Sequence, residues 1–186
     1  MTKAQTVELR ALVLVENPDL GVLPGLAGQL DNAAREALSS KLLDRATEWA
    51  TTVAAGEPVV TDLKGLAAAA DGAESLLVLR PALISYGAGL AADLRSDLDA
   101  GCGLIVGPTL TGGWYLLALA PANLDLLRAA GDGGPRSAGG LLGAARGVPN
   151  LEAGLLRAER DLVSDADLRA AQADPLVDPE VAALIS

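Results

Sequence analysis

The stretch Leu104-Ile-Val-Gly-Pro-Thr-Leu-Thr-Gly-Gly-Trp-Tyr-Leu-Leu-Ala-Leu119 constrains this chain more than any other. A short apolar run ends at Gly107-Pro108, a turn-rich loop closes on Gly112-Gly113, and a second apolar run begins at Trp114. Runs of this length bounded by turn residues read as strand, tight loop, strand. The gap is too short for a helical crossover, so the second strand is expected to run antiparallel to its neighbours. The paired glycines let the chain adopt positive φ or let backbone approach a bulky group.

Elsewhere short apolar runs alternate with helical patterns. Strands are expected over 7–15, 58–61, 75–79 and 155–158. A long helix is expected from an Asp31 N-cap to near Gly56, because Leu30, Ala34, Leu38, Leu42, Ala46, Trp49 and Val53 fall on one face. Further helices are expected over 63–70, from a Ser85 cap along Tyr86, Leu90, Leu94 and Leu98, over 122–129, over 137–146, over 165–172 and from Pro179. The residues at 132–135 read as a flexible turn. This alternation implies right-handed crossovers and a mostly parallel sheet with one antiparallel strand, an α/β fold. No repeat or linker divides the chain, so one domain is expected over 1–186. In such folds ligands gather beyond the carboxyl ends of the strands. That singles out the loops after Val15, Val60, Leu79 and Val106.

Composition removes several functions. There is no histidine, which excludes histidine triads, histidine bases and histidine metal ligands. The single cysteine, Cys102, allows no intrachain disulfide and reads as a small packing residue between two glycines. A formal charge of −10 argues against a nucleic-acid partner. No apolar stretch reaches the length of a membrane span, and the first ten residues lack a signal-peptide core, so a cytoplasmic setting is expected. The glycines at 21, 25 and 28 do not form a dinucleotide fingerprint, and no lysine follows them as a phosphate loop requires.

Bland and sharp readings stand side by side at each candidate. Gly112-Gly113 serves a plain hairpin as well as a ligand loop. Trp114 at a strand start is a core residue or a pocket wall. Asp62 caps the following helix or meets a ligand. Arg80, alone at a strand end before Pro81, meets a phosphate or the surface. Asp161 holds a structural hydrogen bond or a metal. Asp165 and Asp167 are charges favoured at a helix start.

The same segments carry a resemblance. Residues 104–119 resemble the signature loop of a small bacterial glycosyltransferase-like family related to molybdenum-cofactor and phospholactate guanylyltransferases. Members typically read Leu-Gly-Pro-Ala-Glu-Asp-Gly-Gly-Tyr/Trp-Tyr/Trp-Leu there, and this chain keeps the Gly-Pro, the Gly-Gly and the aromatic pair. Arg160-Asp-Leu-Val-Ser-Asp-Ala-Asp-Leu168 is similar to the closing motif Arg-Asp-Val-Asp-Thr-Pro-Glu-Asp-Leu. Residues 12–21 resemble the first strand and its Pro-x-x-Gly loop, and 77–81 occupy the place of the Gly-Ser/Thr-Asp-x-Pro strand end. The resemblance implies a nucleotide-diphospho-sugar transferase fold: a Rossmann-like three-layer sandwich of glycosyltransferase A type. It implies ligand contacts from Asn17, Gly21, Arg80, Gly107, Pro108, Thr111, Gly112, Gly113 and Trp114, with Asp161 as the remaining metal candidate.

The chemistry departs from that pattern. Transfer from a phosphorylated donor needs a divalent cation held by carboxylates, and cationic groups on the phosphates. Leu110 and Thr111 stand where the family has Glu-Asp. Residues 22–30 carry no positive charge where the family has Lys-Thr-Arg, no carboxylate lies between Leu76 and Ala92, and Val163 fills the second acidic position of the closing motif. The resemblance therefore implies a diverged nucleotidyl- or glycosyltransferase-like protein, its metal-dependent catalysis lost or weakened, that binds a ligand or a partner. An active transferase using magnesium or manganese is the first alternative, and a structural subunit of an oligomer the second. A nucleotide or sugar-nucleotide and a second copy of the chain are the expected partners.

Overall fold

A computed structural model describes residues 7–15, 23–54, 56–131 and 137–186. Its centre is a six-stranded sheet built from β1 (Arg10–Leu14), β2 (Val59–Thr61), β3 (Leu76–Leu79), β4 (Leu104–Pro108), β5 (Trp114–Leu119) and β6 (Ala153–Leu155). The strand order is β2-β1-β3-β5-β4-β6. β5 runs antiparallel to both β3 and β4, while β1 pairs in parallel with β2 and β3, and β4 with β6. Every residue of β3 and β5 is buried, as expected of strands covered on both faces.

Helices cover the two faces. On one lie α1 (Asn32–Val53) and α3 (Ala88–Asp99), through Ala46, Trp49, Val53, Leu90, Leu94 and Leu98. On the other lie α2 (Leu66–Ala70), α4 (Leu124–Gly131) and α5 (Ala138–Ala145), through Leu66, Leu126, Leu127 and Leu141. This gives three layers. A third apolar cluster joins the start of α1 to α6 (Asp165–Gln172) and α7 (Pro179–Ile185), and includes Ile84 and Leu162. The C-terminal helices thus brace the loops at the carboxyl end of the sheet. Ion pairs from Arg45 to Asp178 at 2.7 Å and from Lys41 to Glu180 tie α7 to α1.

The caps follow the sequence. The Asp31 carboxylate accepts from the Ala34 amide at 2.8 Å, and Ser137 opens α5 by accepting from Gly140 at 3.1 Å. At α6 the Ser164 hydroxyl accepts from the Asp167 amide at 3.3 Å and donates to the Asp167 carboxylate at 2.5 Å.

Several expected boundaries shift: the first strand, expected over 7–15, spans Arg10–Leu14, and the long helix ends at Val53, short of Gly56. The helix expected from Ser85 starts at Ala88 with Gly87 as its cap. Just before it the chain is bonded across the sheet end: the Ala82 carbonyl accepts from Leu162, and Leu83 bridges Asp161. The strand expected over 155–158 is β6, which ends at Leu155. Leu156 still bonds the Val106 carbonyl, but Glu159 then bonds Pro108, so the chain has already turned across the sheet end. α2 begins at Leu66, because Asp62 accepts from the Gly65 amide at 2.8 Å and holds a turn ahead of the helix. α4 begins at Leu124, with the Asn123 side chain accepting from the amides of Asp125 and Leu126. The loop at 16–21 and the turn at 132–135 lie outside the described residues. Among the described residues, no helix is long and apolar enough to cross a membrane.

Candidate functional site

The carboxyl ends of β1, β3 and β4 point one way, and the antiparallel β5 begins at that same end. The loop joining β4 to β5 is a tight hairpin. Thr109 N–H donates to Gly113 at 3.0 Å, Gly112 N–H returns to Thr109 at 3.0 Å, and Gly112 sits at φ 88°. A turn followed by a left-handed residue is the three-residue hairpin with a glycine bulge, and Gly112 is there for its φ.

One irregularity decides which way the aromatic pair points. Gly107 pairs with Leu116 and Pro108 pairs with Trp114, so Tyr115 is an extra residue on β5. This bulge sends both Tyr115 and Leu116 to the α1/α3 face and returns Trp114 to the α2/α4/α5 face. It also explains Gly107. A Cβ there would lie 2.5 Å from the Tyr115 ring, so the glycine makes room for that ring. The Tyr115 hydroxyl donates to the Arg157 carbonyl at 3.2 Å, and burial pushes its pKa well above the ordinary value.

Around this hairpin the expected residues gather. Arg80 leaves β3 with its amide donating to Tyr115 at 2.9 Å, and its guanidinium lies 5.7 Å from the centre of the Trp114 ring. Trp114 itself is 2% exposed, so the core reading of this residue holds. Its indole N–H has no hydrogen-bond partner among the described residues. The segment 156–163 crosses the same end of the sheet. It pairs with the hairpin through Leu110 N–H to Glu159 at 2.9 Å, and with the loop after β3 through Leu83 and Asp161.

Asp161 lies at the centre of this crossing and is only 5% exposed. Both of its carboxylate oxygens are 3.0 Å from the Thr111 hydroxyl. The Thr111 oxygen is in turn 2.8 Å from the Thr109 hydroxyl. Thr111 has one hydroxyl proton, and the carboxylate, which can only accept, takes it. The proton between the two threonines therefore belongs to Thr109, and the donors run Thr109 to Thr111 to Asp161.

Arg80, Gly107, Pro108, Thr111, Gly112, Gly113, Trp114 and Asp161 thus share one end of the sheet. Asn17 and Gly21, like the acidic Glu16 and Asp19, lie outside the described residues. Sequence reading missed Thr109, whose buried hydroxyl completes the relay, and the closing segment's Glu159, which pairs with the hairpin. A polar residue at the last position of a buried run was the available signal for Thr109.

A resident divalent cation is a poor match for the described residues. None of their histidine, cysteine, aspartate or glutamate side chains gather in threes as a metal site would require. A hard cation needs several oxygens, and the buried Asp161 carboxylate supplies two, which share the single Thr111 hydroxyl proton. The other buried carboxylate nearby, Asp167, is occupied by Arg160 at 3.1 Å and by Ser164.

No protein-family model matches the sequence, and no curated protein matches it. Among solved structures, the fold is similar to that of a candidate nucleotide-diphospho-sugar transferase from Desulfovibrio desulfuricans. The TM-score is 0.66, the identity is 15%, and the match covers 96% of this chain and 94% of that one. At this identity the likeness is one of fold: a Rossmann-like α/β sandwich of the nucleotide-diphospho-sugar transferase kind.

Proposed function

We propose that this protein is a diverged nucleotide-diphospho-sugar transferase-like domain that binds a small ligand or a protein partner at the carboxyl end of its sheet, in the cytoplasm, without metal-dependent transfer. The observation that carries this reading is the bonding of Asp161. Both oxygens of the carboxylate best placed for a metal lie 3.0 Å from the Thr111 hydroxyl, and no group of three metal-binding side chains forms among the described residues. A cation bound by that one group would keep most of its water. The Arg80 guanidinium lies over the buried Trp114 ring at the same end of the sheet.

Leu110 favours a protein as the partner. It stands at the tip of the hairpin with 59% of its surface exposed, where the related enzymes carry a carboxylate. Isothermal titration calorimetry with GTP, CTP and UDP-glucose, with and without manganese, tests the proposal. The expected result is no gain in affinity on adding manganese. Micromolar, metal-dependent binding of any of the three would overturn it. It would favour the active transferase, with Arg80, Thr111 and Asp161 as the residues to substitute next.

A further inference from the structure

We infer that the C-terminal helix α7 is a strap on the candidate site: docked against α1 it fixes the loop after β3, and its release frees that loop while the sheet stays folded. The inference rests on the placement of the site at the carboxyl end of the sheet, proposed above.

α7 is seven residues long, too short to be stable alone, so its helix depends on what it packs against. Val181 and Ile185 are its buried residues, at 0% and 1% exposure. They belong to the apolar cluster that includes Leu38 and Leu42 of α1, Ile84 of the loop after β3 and Leu162 of the crossing segment. Leu83, next to Ile84, belongs instead to the cluster under α1 and α3. The loop thus has one side chain in the main core and the next in the cluster that α7 completes. The Leu162 amide donates to the Ala82 carbonyl at 3.0 Å, which ties the crossing segment to the same loop.

A polar and aromatic route runs beside the apolar one. Asp178, the N-cap of α7, pairs with Arg45 at 2.7 Å. Burial raises the pKa of the Tyr86 phenol, and Arg45 lies close enough for its charge to oppose that rise. One turn along α1 from Arg45, Trp49 stacks on Tyr86 with 5.4 Å between ring centres. The Tyr86 hydroxyl donates to the Arg80 carbonyl at 3.1 Å, and the Arg80 guanidinium lies over Trp114. Both routes from α7 end in the loop at 80–87.

No strand pairing holds α7 in place. Its attachments are the two buried side chains, the Gln172 amide on the Ile185 carbonyl, and the ion pairs of Asp178 and Glu180. Elements held in this way open locally while the rest of the fold persists. The Glu180 side chain is 70% exposed in its pair with Lys41, so salt weakens the strap.

Amide exchange of the full chain at neutral pH, followed residue by residue, tests the inference. Asp178→Ala removes the cap of α7 together with the Arg45 pair, and the α7 amides should exchange about tenfold faster. The Leu162 amide, whose acceptor lies in the loop, should quicken by a similar factor, while the amides of β3 and β5 keep their wild-type rates. Val181→Ala trims only the apolar contact and should give the same pattern, which decides the matter if Asp178→Ala fails to fold. Faster exchange in α7 with an unchanged Leu162 amide would overturn the inference. So would an α7 that neither variant quickens, or strands β3 and β5 that quicken as much as α7, since helix and sheet then open as one unit. These rates are read without ligand or metal, so the strap and the proposed function fail separately.

Discussion

Replacing Thr111 with valine keeps the shape of the side chain and removes the donor to Asp161. The hydroxyl lies 3.0 Å from both carboxylate oxygens and shares one proton between them, so one charge-assisted bond is lost. Such a bond contributes about 1.5–3 kcal/mol. The Thr109 hydroxyl, 2.8 Å behind, loses its acceptor, which adds part of a neutral bond of about 0.5–1.5 kcal/mol. Water offsets some of this, because Thr111 is exposed even though Asp161 is 5% exposed. A net destabilisation of about 2 kcal/mol follows. For a chain of this length that lowers Tm by about 4–8 °C. Urea unfolding of the wild type, Thr111→Val, Asp161→Asn and the double variant measures it directly. The coupling between the two positions should reach about 1 kcal/mol or more. A Thr111→Val protein within about 0.5 kcal/mol of the wild type, or strictly additive single changes, would refute the relay.

Two further outcomes follow from the same structure. Gly107→Ala would place a Cβ 2.5–2.9 Å from three atoms of the buried Tyr115 ring and should destabilise by about 1–3 kcal/mol. Thermal unfolding checks this, and Tyr115→Leu in the same chain should recover part of the loss. Asp178 caps α7, and the Glu180 amide, followed by Arg45, holds its carboxyl below the ordinary value of 3.8. A depressed carboxylate contributes stability that is full above its ordinary value and is lost as the pH falls through the depressed one. Amide exchange in α7 should therefore quicken as the pH drops below that ordinary value, after correction for the intrinsic rate, and in Asp178→Asn this extra acid dependence should vanish.

Much of the fold was legible because local signals agreed with tertiary need. Asp31, Ser137 and Pro179 mark helix starts that the structure keeps. The runs at 76–79 and 104–106 are apolar throughout because both faces are covered. Ser85 misled because a serine before an apolar pattern is a good local cap, whereas 82–83 are claimed by residues 161–162, far away in sequence. The bulge at Tyr115 was equally hidden. Alternation along β5 predicts the wrong face for Trp114 unless one residue is added, and nothing in a strand of buried apolar residues reveals the addition. At the site, the Gly-Gly turn and the isolated Asp161 were visible. The hydroxyl relay was not, because it joins residues fifty positions apart.

Leu110 and Thr111 stand where the family that the sequence resembles has Glu-Asp, and Asp161 lies beside Thr111. Carboxylates at those positions beside a buried aspartate repel one another, and a divalent cation relieves the repulsion. Without the cation such a cluster raises its own pKa values or loosens the loops that hold it. Thr111 removes the repulsion and supplies the hydrogen bond that Asp161 would otherwise lack, and Leu110 carries no charge at all. The hairpin, the loop after β3 and the crossing segment are joined by backbone hydrogen bonds. A surface organised in this way is formed before anything binds, so association loses little to ordering. Leu110 is exposed at the hairpin tip, and the Arg80 guanidinium lies 5.7 Å from the centre of the buried Trp114 ring.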